Sequence, residues 1–111
     1  MAKRAPQTKL GEKVIDETIR LNRPRRGARL REEVWQTQDG KVTKYNLAYI
    51  NHLVSRVDNG RVLGYDNSHD YNHRHFMGSV EAVAFVDYES LAARFREEVQ
   101  ELWSKENEEN A

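Results

Sequence analysis

The middle of the chain consists of short runs of β-branched and aromatic residues separated by tight-turn signals. Asp39-Gly40 and Asn59-Gly60 are dipeptides that favour two-residue hairpin turns, and each lies between two such runs. The runs extend over Arg31–Thr37, Val42–Val57 and Arg61–Asp66. Because strands joined by tight turns pair with their neighbours in antiparallel fashion, this pattern predicts a meander sheet.

Further strands are predicted on both sides of this central pattern. The segment Glu12–Asn22 is ambiguous between helix and strand, and Thr18-Ile19-Arg20-Leu21 favours a strand. Short strands are also expected at His73–Met77 and at Glu81–Val86. The parity of the alternating apolar residues changes near Asn51-His52, which indicates a bulge or a break there.

A C-terminal helix is the most strongly patterned element of the chain. Asp87 is a good N-cap residue. The apolar residues that follow it at helical spacing are Leu91, Phe95, Val99, Leu102 and Trp103. The helix is predicted over residues 87–104, and the polar residues after it are expected to fray.

A chain of 111 residues is long enough for one domain. The predicted fold class is α+β, with a twisted antiparallel sheet (a meander) over residues 12–86 and the C-terminal α-helix covering one of its faces. Residues 1–11 have no apolar periodicity, and we expect them to form a disordered arm.

Composition excludes several classes of site and location. The chain has no cysteine, which excludes disulfides, thiolate zinc sites and cysteine nucleophiles. No apolar run approaches the roughly 20 residues that a membrane-spanning helix needs. The N-terminus also lacks the apolar core of a secretory signal. We therefore expect a cytoplasmic protein that has no association with membranes.

The net charge of zero conceals a strong asymmetry along the chain. Residues 1–31 carry ten Lys/Arg and three Asp/Glu, whereas residues 81–111 carry three Lys/Arg and nine Asp/Glu. A basic head of this kind can bind nucleic acid or an acidic partner, and Arg26 is a candidate phosphate contact within it. The alternative is that the basic head and the acidic tail neutralise each other, within one chain or across a homodimer.

The segment 64–78 concentrates the side chains that are able to do chemistry. It holds three of the four histidines, and His73 and His75 share one face of a strand because side chains alternate. Two neighbouring imidazoles can act as general base and general acid, and Asp66 is a candidate to orient one of them. Arg74, on the opposite face, or an arginine of the basic head is a candidate to stabilise a phosphorane.

Two other interpretations of this cluster are open. The first is a divalent transition-metal site built from His69, the two strand histidines and Asp66 or Asp70. The second is a polar surface hairpin whose side chains form only local hydrogen bonds, with Asn67 capping the end of a strand. The interpretation that we favour at this point uses no metal and no other cofactor.

Tyr45 and Tyr65 lie in the predicted strands and are candidate substrate contacts, together with Asn67. Exposed tyrosine rings stack on unpaired bases. Packing within the sheet is the more frequent role of a strand tyrosine. In the strand that contains Tyr65, strict alternation puts Val62 on the opposite face.

Several of these segments occur in an order that is typical of one protein family. The segments are Lys44–Tyr49, Asn59-Gly60, Tyr65-Asp66-Asn67 and His73-Arg74-His75. This order resembles that of the TumE-like toxins, which are small toxin components of bacterial and archaeal type II toxin–antitoxin pairs. The resemblance covers residues 31–104, and the arginine-rich segment before them fits the family pattern poorly.

This resemblance implies a growth-inhibiting toxin that is neutralised by a cognate antitoxin, often one with a DNA-binding domain. It also implies site roles for Tyr65, Asp66, Asn67, His73 and His75. Because many toxins of this size cleave RNA, we expect a metal-independent endoribonuclease in which the two strand histidines share the acid and base roles. The rival hypothesis is a non-catalytic binding partner of a DNA-binding regulator, with a structural histidine cluster.

Overall fold

The computed structural model describes residues 11–109, and this part of the chain contains one antiparallel sheet and one α-helix. The strands are β1 (Glu12–Arg20), β2 (Arg29–Gln36), β3 (Val42–Ile50), β4 (Arg61–Asp66), β5 (His73–Phe76) and β6 (Ser79–Ala82), and the helix is α1 (Tyr88–Glu109). The strands lie in the sheet in chain order. The predicted α+β fold, an antiparallel meander with a C-terminal helix, is confirmed. The predicted arm at residues 1–11 lies, apart from Gly11, outside the described residues.

The bounds of β6 and of the helix differ from their predicted positions. β6 begins at Ser79 because Met77 and Gly78 both have positive φ angles, of 49° and 89°, and form a tight turn directly after β5. The helix continues to Glu109 instead of fraying after residue 104. Arg25 contributes to this longer helix, since it donates hydrogen bonds to the Trp103 carbonyl oxygen (2.8 Å) and to Asn107 Oδ1 (2.9 Å).

The helix begins and packs as its sequence pattern predicts. Asp87 Oδ1 accepts a 2.7 Å hydrogen bond from the backbone N–H of Ser90, which satisfies one of the free donors of the first turn. Phe95 is buried, and its ring meets the ring of Tyr65 edge-on with 6.3 Å between their centres. The helix lies over β3 and β4, so the core is concentrated there. No helix among residues 11–109 is both long and apolar enough to cross a bilayer.

The two faces of the sheet differ in character. On the face that the helix covers, the buried residues of β3 and β4 are Tyr45, Leu47, Tyr49, Val62, Leu63 and Tyr65. The other face carries three rows of residues that are paired from strand to strand. They are Asp16, Glu33, Asn46, Asp66 and His73 in the first row, Thr18, Arg31, Ala48, Gly64 and His75 in the second, and Arg20, Arg29, Ile50 and Arg61 in the third. We call the face formed by these three rows the open face, because the one α-helix among residues 11–109 lies on the opposite side.

A β-bulge at the start of β4 changes which of its residues face the helix. The pairing passes from Tyr49–Leu63 to Ile50–Arg61, which leaves Val62 as the extra residue. Val62 is therefore buried in the same cluster as Leu63, and its predicted position on the opposite face was wrong. The bulge also places Arg61 on the open face, in the row beside the histidines.

Candidate active site

Asp66 is the centre of the candidate site. It ends β4, lies opposite His73 in the ladder and is only 7% exposed. Its Oδ1 lies 2.7 Å from His73 Nε2, and its Oδ2 lies 3.0 Å from His75 Nε2. The backbone N–H and the hydroxyl of Ser68 donate further hydrogen bonds to Oδ1, at 3.1 Å and 2.7 Å. One carboxylate therefore joins both histidines of the predicted pair.

The Asp66 carboxyl group keeps its negative charge although it is buried. Burial by itself raises the pKa of a carboxyl group. Here the hydrogen bonds from Ser68 and the charges of His73 and His75 outweigh that effect, and they lower the pKa of Asp66 below its usual value. A buried carboxylate held by several donors is well suited to orient imidazole rings.

His73 is almost completely buried, at 3% exposure. Its Nδ1 lies 3.0 Å from the carbonyl oxygen of Tyr71, and its Nε2 faces Asp66. Both neighbours are acceptors, so a protonated ring satisfies them with its two N–H groups. The ring of Tyr71 also packs against the imidazole, with 4.6 Å between ring centres. These contacts fix the position and the orientation of the imidazole ring.

His75 lies between a cation on one side and the Asp66 carboxylate on the other. Its Nδ1 lies 3.0 Å from Arg61 Nη2, and because a guanidinium group only donates, this nitrogen must accept. Burial and the positive charge of Arg61 lower the pKa of His75 below 6.5, although Asp66 acts in the other direction. Its Nε2 is buried near Asp66 Oδ2 but is not aligned for a hydrogen bond. His75 is therefore neutral near pH 7 and suited to accept a proton.

Arg61 is the site residue that sequence reasoning missed. Its Nε and Nη2 donate to the carboxylate of Asp58, at 2.7 Å and 3.1 Å, while Nη1 lies 3.5 Å from Asp66 Oδ2. The side chain passes directly over Gly64, where an added Cβ would lie 2.7 Å from Arg61 Cδ. A glycine inside a strand marks a close approach of this kind, and Gly64 was the one signal in the sequence that pointed to it.

Arg74 and Tyr65, two of the predicted substrate contacts, lie on the covered face, across the sheet from the histidines. Arg74 pairs with Glu98 of α1, with 2.5 Å between Nη2 and Oε2. The hydroxyl of Tyr65 donates to the same carboxylate, and burial together with Glu98 raises the pKa of this hydroxyl to about 12. Both residues therefore hold the helix on the sheet.

Tyr45 and Asn67 stabilise the sheet next to the site. Asn67 Oδ1 accepts a 3.1 Å hydrogen bond from the backbone N–H of Tyr45, and its Nδ2 donates to the carbonyl oxygen of Thr43 at 3.0 Å. The Tyr45 ring is buried and stacks on Phe85, with 5.8 Å between ring centres. Asn67 thus extends the pairing of β3 with the end of β4, which keeps Asp66 in position.

Arg26 and His69 lie apart from the cluster. Arg26 is exposed in the loop between β1 and β2 and lines a pocket with Arg20 and Arg29. His69 lies in a short 3₁₀ turn, Ser68–Asp70, with a positive φ of 62°. It does not belong to the group of three residues whose potential ligand atoms converge.

Asp66, His73 and His75 are the residues on which the metal interpretation now depends. The potential ligand atoms of Asp66, His73 and His75 lie within 4.8 Å of one another, and imidazole with carboxylate is a donor set that transition metals accept. The contact from His73 to the Tyr71 carbonyl oxygen is also typical of histidines that bind metal. The contact of Arg61 with His75 argues against a metal. A metal bound to His75 Nε2 requires a proton on Nδ1, but Nδ1 accepts a hydrogen bond from the guanidinium group and therefore carries no proton. As it stands, the arrangement suits proton transfer better than metal binding.

Comparison with known families agrees with the pattern of these residues. A family model described as toxin TumE matches residues 8–103. The chain belongs to the TumE toxin family. The match spans the arginine-rich segment between β1 and β2 and begins before residue 31, where the resemblance seen in the sequence began. Membership in a toxin family implies a cognate antitoxin as partner. No match to the chain was found among the curated proteins or among the solved structures.

Proposed function

We propose that this TumE-family toxin inhibits growth by cleaving RNA in a metal-independent reaction at Asp66, His73 and His75. One observation carries the proposal: a single buried carboxylate lies 2.7 Å from Nε2 of one imidazole and 3.0 Å from Nε2 of a second. A base and an acid held side by side are what cleavage by a ribose 2′-hydroxyl requires. This substrate is cytoplasmic, which agrees with the location expected from the sequence.

In the proposed reaction His75 is the base. Binding of the RNA phosphate draws Arg61 away from His75 Nδ1, where it now donates at 3.0 Å, and frees the lone pair of that nitrogen. Nδ1 takes the proton of the 2′-hydroxyl while the 2′-oxygen forms a bond to phosphorus. The bond from phosphorus to the 5′-oxygen breaks, and His73 gives a proton to this leaving oxygen. The products are a 2′,3′-cyclic phosphate and a free 5′-hydroxyl group.

Arg61 takes the electrostatic role that the sequence suggested for Arg74. The guanidinium group of Arg61 lies on the open face, between Asp58 and the imidazole of His75. Once it is drawn to the bound phosphate, this cation stabilises the charge that develops on the phosphorane. Arg74 contacts Glu98 on the other side of the sheet, and we therefore assign it a structural role.

The test compares single variants in an induced-expression growth assay. His75→Ala and Arg61→Ala are expected to abolish growth inhibition, and His73→Gln, which replaces a buried ring, is expected to do the same. His69→Asn is the matched control, since His69 lies in the same segment but outside the cluster. Urea unfolding of each purified variant separates loss of chemistry from loss of fold. Full toxicity of both His73→Gln and His75→Ala contradicts the proposal.

The converging ligand atoms of the cluster favour one second candidate, a metal-dependent cleavage at the same residues. Metal analysis after purification without chelator distinguishes the two reactions. Substoichiometric metal, together with cleavage that survives dialysis against EDTA, supports the metal-independent reaction. One equivalent of a transition metal that is lost in the Asp66→Asn variant supports the metal-dependent one.

The partner and the non-catalytic alternative are tested in the same assay. We propose that the antitoxin carries a DNA-binding domain, and a small DNA-binding protein encoded beside this chain would support that part. Co-expression of this neighbour should restore growth. Expression that is harmless in the absence of the neighbour would instead favour a binding module whose histidine cluster is structural.

A further inference from the structure

One end of the open face carries a pocket with an unneutralised positive charge. Arg20, Arg26 and Arg29 line this pocket together with Thr18 and Asn22. Within residues 11–109, the guanidinium groups of these three arginines form no ion pair and no side-chain hydrogen bond. We call this set of three residues the arginine pocket.

The pairing of the strands makes the arginine pocket unfavourable without a ligand. Arg20 lies directly opposite Arg29 in the ladder of β1 and β2, and like charges in this position destabilise a sheet. The neighbouring arginine on the same face is different, because Arg31 Nη2 lies 2.8 Å from Asp16 Oδ1. The chain thus neutralises Arg31 and Arg61 of this face internally and leaves the facing pair Arg20 and Arg29 to an external anion.

The arginine pocket is aligned with the candidate active site. Arg20, Arg29, Ile50 and Arg61 form one row across four adjacent strands, and Arg61 contacts His75. With neighbouring strands about 4.8 Å apart, the row spans about 14 Å. Positive charges spread along a line of this length fit a chain of phosphates better than one small anion.

We infer that the arginine pocket binds the sugar–phosphate backbone of single-stranded RNA and leads it across the strands to His75. This inference rests on the proposed function, since it names the surface that holds the RNA being cleaved. An acidic segment of the antitoxin is the competing occupant, and the experiment separates the two.

The probe is a short 2′-O-methyl RNA oligonucleotide, which cannot be cleaved because it lacks the attacking hydroxyl. Its affinity is measured as a function of salt for the wild type and for the triple variant Arg20→Ala, Arg26→Ala, Arg29→Ala. Each lost phosphate contact lowers the slope of log K against log salt by about 0.7, so the triple variant should lose up to about 2. Replacement of the same three residues by lysine should keep most of the slope. Arg96→Ala is the control, because Arg96 is exposed on the helix side.

An unchanged slope in the triple variant overturns the inference. So does a variant that binds the oligonucleotide normally but is no longer neutralised by the antitoxin, since the pocket then contacts protein. If the triple variant does not fold, the single variant Arg26→Ala is used, because Arg26 is exposed in a loop. Its salt slope is compared with that of the wild type for the loss of one phosphate contact. Arginine-dependent binding without cleavage of natural RNA would refute the proposed reaction and leave this inference standing.

Discussion

Gly64 allows Arg61 to reach His75 across β4. An added Cβ at Gly64 would lie 2.7 Å from Arg61 Cδ and 3.1 Å from the carbonyl oxygen of Leu47. We predict that Gly64→Ala displaces the flexible arginine, lowers the cleavage rate about 10²-fold and changes the free energy of unfolding by no more than about 3 kcal/mol. Cleavage kinetics and urea unfolding of the purified variant measure the two effects. A fully active Gly64→Ala protein would show that Arg61 is not needed at this position.

The neutral state of His75 predicts how stability depends on pH. The pKa of His75 is lowered in the folded protein, so below pH 6.5 the unfolded chain binds a proton that the folded protein does not. The contribution of His75 is therefore fully present above about pH 6.5 and is lost as the pH falls through the lower, folded-state pKa. Urea midpoints measured at a series of pH values should fall over this window in the wild type. The decline should be smaller in His75→Gln, and equal declines in both proteins would contradict the assignment.

At the scale of the strands, Asn67 fixes the end of β4 against β3. Its side chain replaces a strand partner, accepting from the Tyr45 N–H and donating to the Thr43 carbonyl oxygen. We predict that Asn67→Ala lowers the free energy of unfolding by about 1–3 kcal/mol, because it leaves two backbone groups without a partner. Asn67→Asp keeps the acceptor and should cost less. Chemical denaturation distinguishes these outcomes. If Asn67→Ala has the same free energy of unfolding as the wild type, the pairing of β3 with β4 depends on backbone hydrogen bonds alone.

Strands β4 and β5 also show when the alternation of side chains along a strand predicts their faces correctly. In β5, alternation correctly predicted that His73 and His75 share one face, because the strand is regular between them. In β4 the same rule failed, because the bulge at Val62 shifts the residues before it by one position. No turn residue in the sequence marks this bulge. The face of Arg61 therefore followed only from the pairing with β3.

At the scale of the whole molecule, Arg25 connects the first hairpin to the end of the helix. Its Nη2 donates to the Trp103 carbonyl oxygen and to Asn107, its Nε lies 3.3 Å from Glu106 Oε1, and its guanidinium group lies over the Trp103 ring. We predict that Arg25→Ala lowers the free energy of unfolding by about 1–3 kcal/mol and accelerates amide hydrogen exchange in residues 103–109.

The control for this prediction is Arg23→Ala, an exposed position in the same loop. Hydrogen exchange followed by mass spectrometry reports the helix end separately from the sheet. If both variants leave the exchange of residues 103–109 unchanged, Arg25 does not account for the length of the helix.

The sequence by itself predicted the local elements and the position of the candidate site. Turn residues, alternation and helical spacing depend on neighbouring residues, so they predicted the meander, the C-terminal helix and the shared face of His73 and His75. The tertiary structure decided which distant side chains meet. Strand register and a bulge brought Arg61 to His75, and the packing of the helix turned Arg74 and Tyr65 towards Glu98. These contacts depend on how separate elements pair and pack, which no local pattern in the chain records.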